Sequence, residues 1–270
     1  MGASCRWNLL CTRAYVQLEL SHGELVESRL LVAVSIDNLR VERSGRAILE
    51  IPHLNLSDQP TLLLGVNGAG KSTLLKAIAA RRPKQRGVVS VSGTVAFVEQ
   101  EFRPIVGFSA LEYCAYVAWL AGQQRKVARR DAAEWLRFTN LASVSDQRCE
   151  TLSGGEKARL AIATALNSGA DILLLDEPSA SLDPISKVQI AEVYQRIVDN
   201  GQSLLVSTHD AGELRAPFAQ VFVLDSGHVV FDGTREGFLS LAHEAGDSAA
   251  HVLARSFVQR AVDGHNHLGG

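Results

Sequence analysis

Unbroken apolar runs punctuate this chain. Thr61-Leu62-Leu63-Leu64 and Ile172-Leu173-Leu174-Leu175-Asp176 have no polar face, so each predicts a short strand covered on both sides. Residues 203–207 and 221–225 predict two more strands, and stretches of helical apolar spacing such as 72–79 separate these runs. Strands alternating with helices predict a mainly parallel α/β sheet. Residues 34–41 and 47–51 predict an antiparallel pair beside that core, and 88–91 with 94–98 predict a further hairpin joined through Gly93. Residues 108–121 and 127–138 predict two helices of an inserted helical subdomain spanning about 101–152. The expected division is 1–33 as a poorly ordered N-terminal extension, 34–245 as the folded domain, and 246–270 as a last helix and tail.

The strand at 61–64 runs into Gly65-Val66-Asn67-Gly68-Ala69-Gly70-Lys71-Ser72-Thr73, which fits the template of Gly, four residues, Gly-Lys-Ser/Thr. Glycines let the backbone bend until consecutive N–H groups point at one phosphate, and the helix start behind them adds partial positive charge. Lys71 then reaches the β/γ-phosphates and the Ser72 hydroxyl ligates Mg²⁺. A P-loop NTPase core follows from this loop in this context. Asp176 and Glu177 end a buried strand, where sheets of this kind place ligands. Asp176 is the expected Mg²⁺ partner, and Glu177 is placed to polarise an attacking water. Leu152-Ser153-Gly154-Gly155-Glu156 opens another helix, with Ser153 as a good N-cap. That segment reads either as a second anion-binding helix start or as an ordinary capped helix.

Taken in order, residues 65–73, Gln100, 152–156, 172–177, Ser181-Leu182-Asp183 and His209 within Ser207-Thr208-His209-Asp210 resemble an ABC ATPase, over roughly residues 34–240. The resemblance is greatest, over residues 111–122 and the following helix, to exporters whose permease is a separate subunit, the ABC-2 type. It implies a head-to-tail dimer of two nucleotide-binding domains with ATP and Mg²⁺ sandwiched between them. Lys71 and the 65–73 loop would hold phosphates, while Ser72, Asp176 and Gln100 would organise the metal and water. Glu177 would be the general base and His209 the switch histidine. Ser153, Gly154, Gly155 and Glu156 would act in trans, with Asp183 in the loop joining the two sites. The resemblance further implies a peripheral location on the cytoplasmic face of a membrane, through the permease. A different reading, a single-cassette ABC-F-like ATPase on the ribosome, rests on the 152–160 stretch and the short interval from Lys71 to Gln100. The family's aromatic residue upstream of the P-loop is missing, and Arg43 falls nearest that place. It either stacks on adenine or is solvated.

Composition bounds the rest. With 270 residues, 46% of them hydrophobic, the chain suits one large globular domain with a subdomain. A formal charge of −2 gives no sign of a nucleic-acid partner. The basic clusters at 81–86 and 125–130 are expected on solvated faces. Tyr113, Tyr116 and Trp119 at helical spacing predict core packing. Phe102, Ile105, Val106 and Phe108 follow Gln100, where the family resemblance implies a groove for a permease helix. Cys5, Cys11, Cys114 and Cys149 suit free thiols in a reducing compartment. No apolar stretch reaches the roughly 20 residues needed to span a bilayer. The tail histidines His243, His251, His265 and His267 are expected to be solvated, and 249–262 to form one last helix.

Overall fold

The computed structural model describes residues 34–80 and 85–244. The expectations for 1–33, for Cys5 and Cys11, for the arginine cluster at 81–84 and for the tail with its histidines lie outside the described residues.

Two sheets and a helical insert form the domain. Strands β1 (Val34–Arg43), β2 (Arg46–Leu56) and β4 (Gln85–Val91) make a three-stranded antiparallel sheet in the order β2-β1-β4. The larger sheet runs β5-β6-β7-β3-β8-β9, built from β3 (Thr61–Leu64), β5 (Val95–Val98), β6 (Ile172–Asp176), β7 (Ser203–Thr208), β8 (Gln220–Asp225) and β9 (His228–Thr234). Its pairings are parallel except for β8 with β9, the antiparallel edge that the apolar pattern did not reveal.

The unbroken apolar runs are explained by two cores, one on each side of the large sheet. Leu62, Leu64, Leu173, Leu175, Leu204 and Val206 face one core, while Leu63, Leu174, Leu205 and Phe222 face the other. Successive side chains point to opposite faces, so a strand covered twice needs every position apolar. The antiparallel sheet and helix α1 (Lys71–Ile78) close the second core through Ile36, Leu49, Ile51, Leu74 and Leu75.

One predicted pairing is wrong. Residues 88–91 and 94–98 do not form a hairpin: β4 pairs with β1, whereas β5 pairs in parallel with β6. The Asp171 carboxylate accepts from both the Thr94 N–H and its hydroxyl, each at 2.8 Å, which draws the chain after Gly93 onto β6. Short spacing around a glycine suggested a turn between paired strands; tertiary anchoring sends the two strands to different sheets instead.

The insert comprises α2 (Ala110–Leu120) and α3 (Arg125–Phe138), packed on α4 (Gly154–Asn167). Small residues let these helices approach closely. Ala110 and Cys114 of α2 meet Ala132 and Leu136 of α3 and Leu160 and Ala163 of α4, all buried, and Ala118 of α2 is buried too. Buried Asn167 stitches the three together, donating to the Cys114 and Ala128 carbonyls at 3.1 Å each. The predicted aromatic core stripe therefore needs correction. Tyr113 packs at the core's edge against Phe102, with ring centroids 5.7 Å apart, but Tyr116 is half-buried and Trp119 is exposed. Cys114 and Cys149 are free thiols, and burial pushes them up to about 12 and about 11, so both stay protonated. Arg125, Lys126, Arg129 and Arg130 are exposed, as the charge pattern predicts.

Candidate functional site

The site is assembled at the C-terminal ends of three neighbouring strands, β6, β7 and β3. Strand β3 ends at Gly65, where there is no room for a side chain: a Cβ there would lie 2.5 Å from the Leu224 carbonyl oxygen. The loop then turns back on itself through Ala69 N–H to the Val66 carbonyl, 3.1 Å, and is held to β8's turn by Gly227 N–H to the Ala69 carbonyl, 2.9 Å. Gly70 caps α1 in the left-handed region at φ 108°, with no side-chain cap. That geometry favours glycine. A glycine at this position supplies no side-chain cap of its own, and a helix start of this kind is one that an anion can use.

Lys71 opens α1 and folds back under the loop. Its ammonium donates to the Gly65 and Val66 carbonyls at 2.7 and 3.1 Å and lies 2.9 Å from Glu177 Oε1. Both charged groups are buried, so this pair is poorly screened. Glu177 also meets His209 Nδ1 at 2.9 Å through Oε2, and Gln100 Nε2 at 3.4 Å. The glutamate adopts φ 47°, a sparsely populated conformation for a residue with a Cβ. Three residues expected to act with Glu177 thus converge on its carboxylate.

Ser207 holds the strand ends in place. Its hydroxyl donates to Asp176 Oδ1 at 2.6 Å and accepts from the Glu177 N–H at 3.1 Å. No role was read for Ser207 in the sequence, although it begins the quoted Ser-Thr-His-Asp run. Its full burial and its partners appear only once the strands are paired, so no sequence signal marks it. Asp176, Ser72 on the first turn of α1 and Gln100 offer carboxylate, hydroxyl and amide oxygens. Hard oxygen donors of this kind, few in number, suit Mg²⁺ bound mainly by phosphate and water. Among the described residues no group of three or more His, Cys, Asp and Glu could hold a metal by itself.

Ser153, Gly154, Gly155, Glu156 and Asp183 belong to a second group. Ser153 caps α4: its hydroxyl accepts from Glu156 N–H at 3.2 Å, and Glu156 Oε2 accepts from Ser153 N–H at 2.7 Å. That backbone bond holds the Glu156 carboxyl below its usual range. Asp183 caps α5 (Pro184–Asp199), accepting from the Ile185 and Ser186 N–H groups at 3.0 Å each and from the Ser186 hydroxyl at 2.6 Å. Gly155 presses on that same serine; a Cβ there would lie 2.4 Å from Ser186 Oγ. Both helix caps therefore form one unit. None of their hydrogen bonds reaches Lys71, Glu177 or His209.

A family model described as ABC transporter matches residues 53–180. The lipoprotein-releasing system ATP-binding protein LolD of Bacteroides thetaiotaomicron is 33% identical over 181 residues, covering 60% of this chain and 83% of that protein. The chain belongs to the ABC transporter ATP-binding family. The Fe(3+) ions import ATP-binding protein FbpC of Rhizobium etli is 31% identical over 219 residues, covering 74% of this chain and 61% of that protein. A solved inward-facing ABC transporter of the metal-chelate type shares the fold at TM-score 0.69 and 22% identity, covering 77% of this chain and 85% of that one. ABC relatives thus include proteins named for release and for import, so family membership leaves direction open.

In this ABC ATP-binding domain Arg43 sits exposed at the end of β1, paired with Arg46 across the Ser44-Gly45 turn. No helix among the described residues is long and apolar enough to cross a membrane.

Proposed function

We propose that this chain is the ATP-hydrolysing subunit of an ABC exporter, working as a dimer of cassettes on a separate permease at the cytoplasmic membrane face. The observation that carries hydrolysis is the meeting of Lys71, Glu177 and His209 beside the 65–73 loop. Lys71 and the loop N–H groups hold the phosphates. Ser72, Asp176 and Gln100 would hold Mg²⁺ and its water, and the metal would supply neutralisation of charge on the transferred phosphoryl group. Glu177 orients and deprotonates the attacking water, and His209 steadies that carboxylate and the γ-phosphate. Phosphoryl transfer makes few covalent demands on a protein, so positioning and charge stabilisation supply most of the rate.

Ser153, Gly154, Gly155 and Glu156 act from the opposite protomer, with Asp183 at the junction. In support, these residues share a unit that makes no hydrogen bond to the hydrolytic group of their own chain. The domain division proposed is 34–245 for the cassette, with the helical insert at about 101–152. A groove of about 1000 Å³ lined by Phe97, Phe102, Ile105, Tyr113, Val117 and Leu120 suits a short permease helix. Export is supported by the likeness of residues 111–122 and the following helix to exporter ATPases. The transport relatives described do not favour the ribosomal reading.

Steady-state ATP hydrolysis by the purified chain, with and without Mg²⁺, tests the enzyme reading. Absence of turnover both alone and with its co-expressed permease would remove it. ATP-driven cargo movement into inside-out vesicles tests direction, and cargo leaving them would reverse it.

A further inference from the structure

We infer that Glu213 is a positioning residue that sets His209 against Glu177 by clamping the segment after β7 to the turn after β6. This rests on the proposed hydrolysis and adds to it a residue that touches neither nucleotide nor water.

The two segments leave neighbouring strands, with Asp176 directly opposite Ser207 in the sheet. Beyond that point each must hold its shape without a ladder. The first turn contains two residues with positive φ, Glu177 at 47° and Ser181 at 63°. Such conformations are unfavourable for residues with a Cβ and persist when surrounding contacts over-determine them. The second segment passes through His209 into a single 3-10 turn at Ala211–Glu213. A turn this short has little stiffness of its own.

Side chains make the connections between them. His209 reaches Glu177 at 2.9 Å, and Lys187 reaches Asp210 at 2.9 Å on the half-exposed rim. The third connection is buried: the Ser179 hydroxyl donates to Glu213 Oε1. Ser179 lies two residues beyond Glu177, and Glu213 four beyond His209. The Ser179–Glu213 and Glu177–His209 bonds therefore close a ring with the two backbone segments. Holding one bond at fixed length restrains the other.

Nothing in the hydrophobic cores asks for a glutamate at this place. Glu213 is buried beside Ser179, Thr208, Asp210, Lys187 and Tyr194, and burial raises its carboxyl above the ordinary range. Leaving water is unfavourable for a carboxyl unless hydrogen bonds compensate. Among the described residues Glu213 Oε2 is buried with no hydrogen-bond partner, which leaves the Ser179 bond to hold the carboxylate. The Asp210 N–H donates to the Thr208 hydroxyl at 3.0 Å and ties together the residues on either side of His209.

The test is a double-mutant cycle read by single-turnover ATP hydrolysis, with nucleotide affinity and thermal unfolding measured on every variant. Glu213→Ala and Ser179→Ala are each expected to slow hydrolysis about tenfold, since small misplacements are costly, with ATP affinity unchanged. Glu213→Gln should recover most of the rate, because its amide oxygen accepts the same bond. In a His209→Ala background, Glu213→Ala should slow the reaction no further. A wild-type rate in Glu213→Ala and Ser179→Ala, or losses that multiply in the double variant, would overturn the inference while leaving the proposed function standing. Should Glu213→Ala fail to fold, Ser179→Ala and its combination with His209→Ala decide the question alone. A wild-type chain without hydrolysis would overturn both.

Discussion

Two helix starts in this chain look alike on paper and differ in three dimensions. Helix α1 begins at Gly70, left-handed and without a side-chain cap. Helix α4 begins at Ser153 inside a reciprocal capping box, with two of its donors already bonded to Ser153 Oγ and Glu156 Oε2. An uncapped start is a cradle that works within one chain. A capped start is rigid and has spent part of its hydrogen-bonding capacity, but the serine hydroxyl can still donate its own proton. The difference fits a division of labour. In the proposed mechanism the first start binds nucleotide unaided, and the second would complete a site that another protomer carries.

The sharpest way to break that division is chemical. Glu177→Gln should lower hydrolysis by about a thousandfold while ATP binding persists, because it removes a general base and keeps the shape. Near-normal turnover in that variant would show that the α1 group is not the hydrolytic centre. Lys71→Ala comes next: ATP affinity should fall about a hundredfold by fluorescent-nucleotide titration, the loss of a buried charged partner being worth about 3 kcal/mol. It also strands Glu177 without its cation.

The α4 start should respond in a different observable. Gly155→Ala forces its Cβ onto Ser186, and overpacking of this kind costs about 1–3 kcal/mol. Turnover should fall about tenfold, whereas the isolated chain should bind ATP as before. The smallest effect belongs to Ser153→Ala. Loss of the cap should lower stability by about 1 kcal/mol in denaturant unfolding and slow turnover severalfold, again with binding intact. Weaker ATP binding by the monomer in either variant would merge the two helix starts into one site.

Much of the site is readable from spacing. Gly65 to Thr73 is a local device, since phosphate geometry needs consecutive backbone groups and therefore consecutive residues. Asp176 and Glu177 are likewise announced by the apolar run that precedes them. Ser207 and the Ser179–Glu213 contact are not readable, because each is a single common residue whose meaning lies in a neighbour about 30 positions away. The misplaced hairpin at 88–98 has a related cause: strand partners are chosen by the whole sheet, and Asp171, far along the chain, makes that choice. The aromatic stripe on α2 failed for another reason. Periodicity identifies a face of a helix, but here alanines and Cys114 permit closer packing and take the buried side.

Local chemistry alone therefore specified a nucleotide-binding α/β chain, its glycine loop, its acidic strand end and its two helix starts, since short-range backbone geometry and side-chain periodicity encode these features. Which residues meet was decided only on folding. Parallel strands bring together segments distant in sequence, so Lys71, Glu177 and His209 become neighbours while the Ser153 and Asp183 caps pair elsewhere.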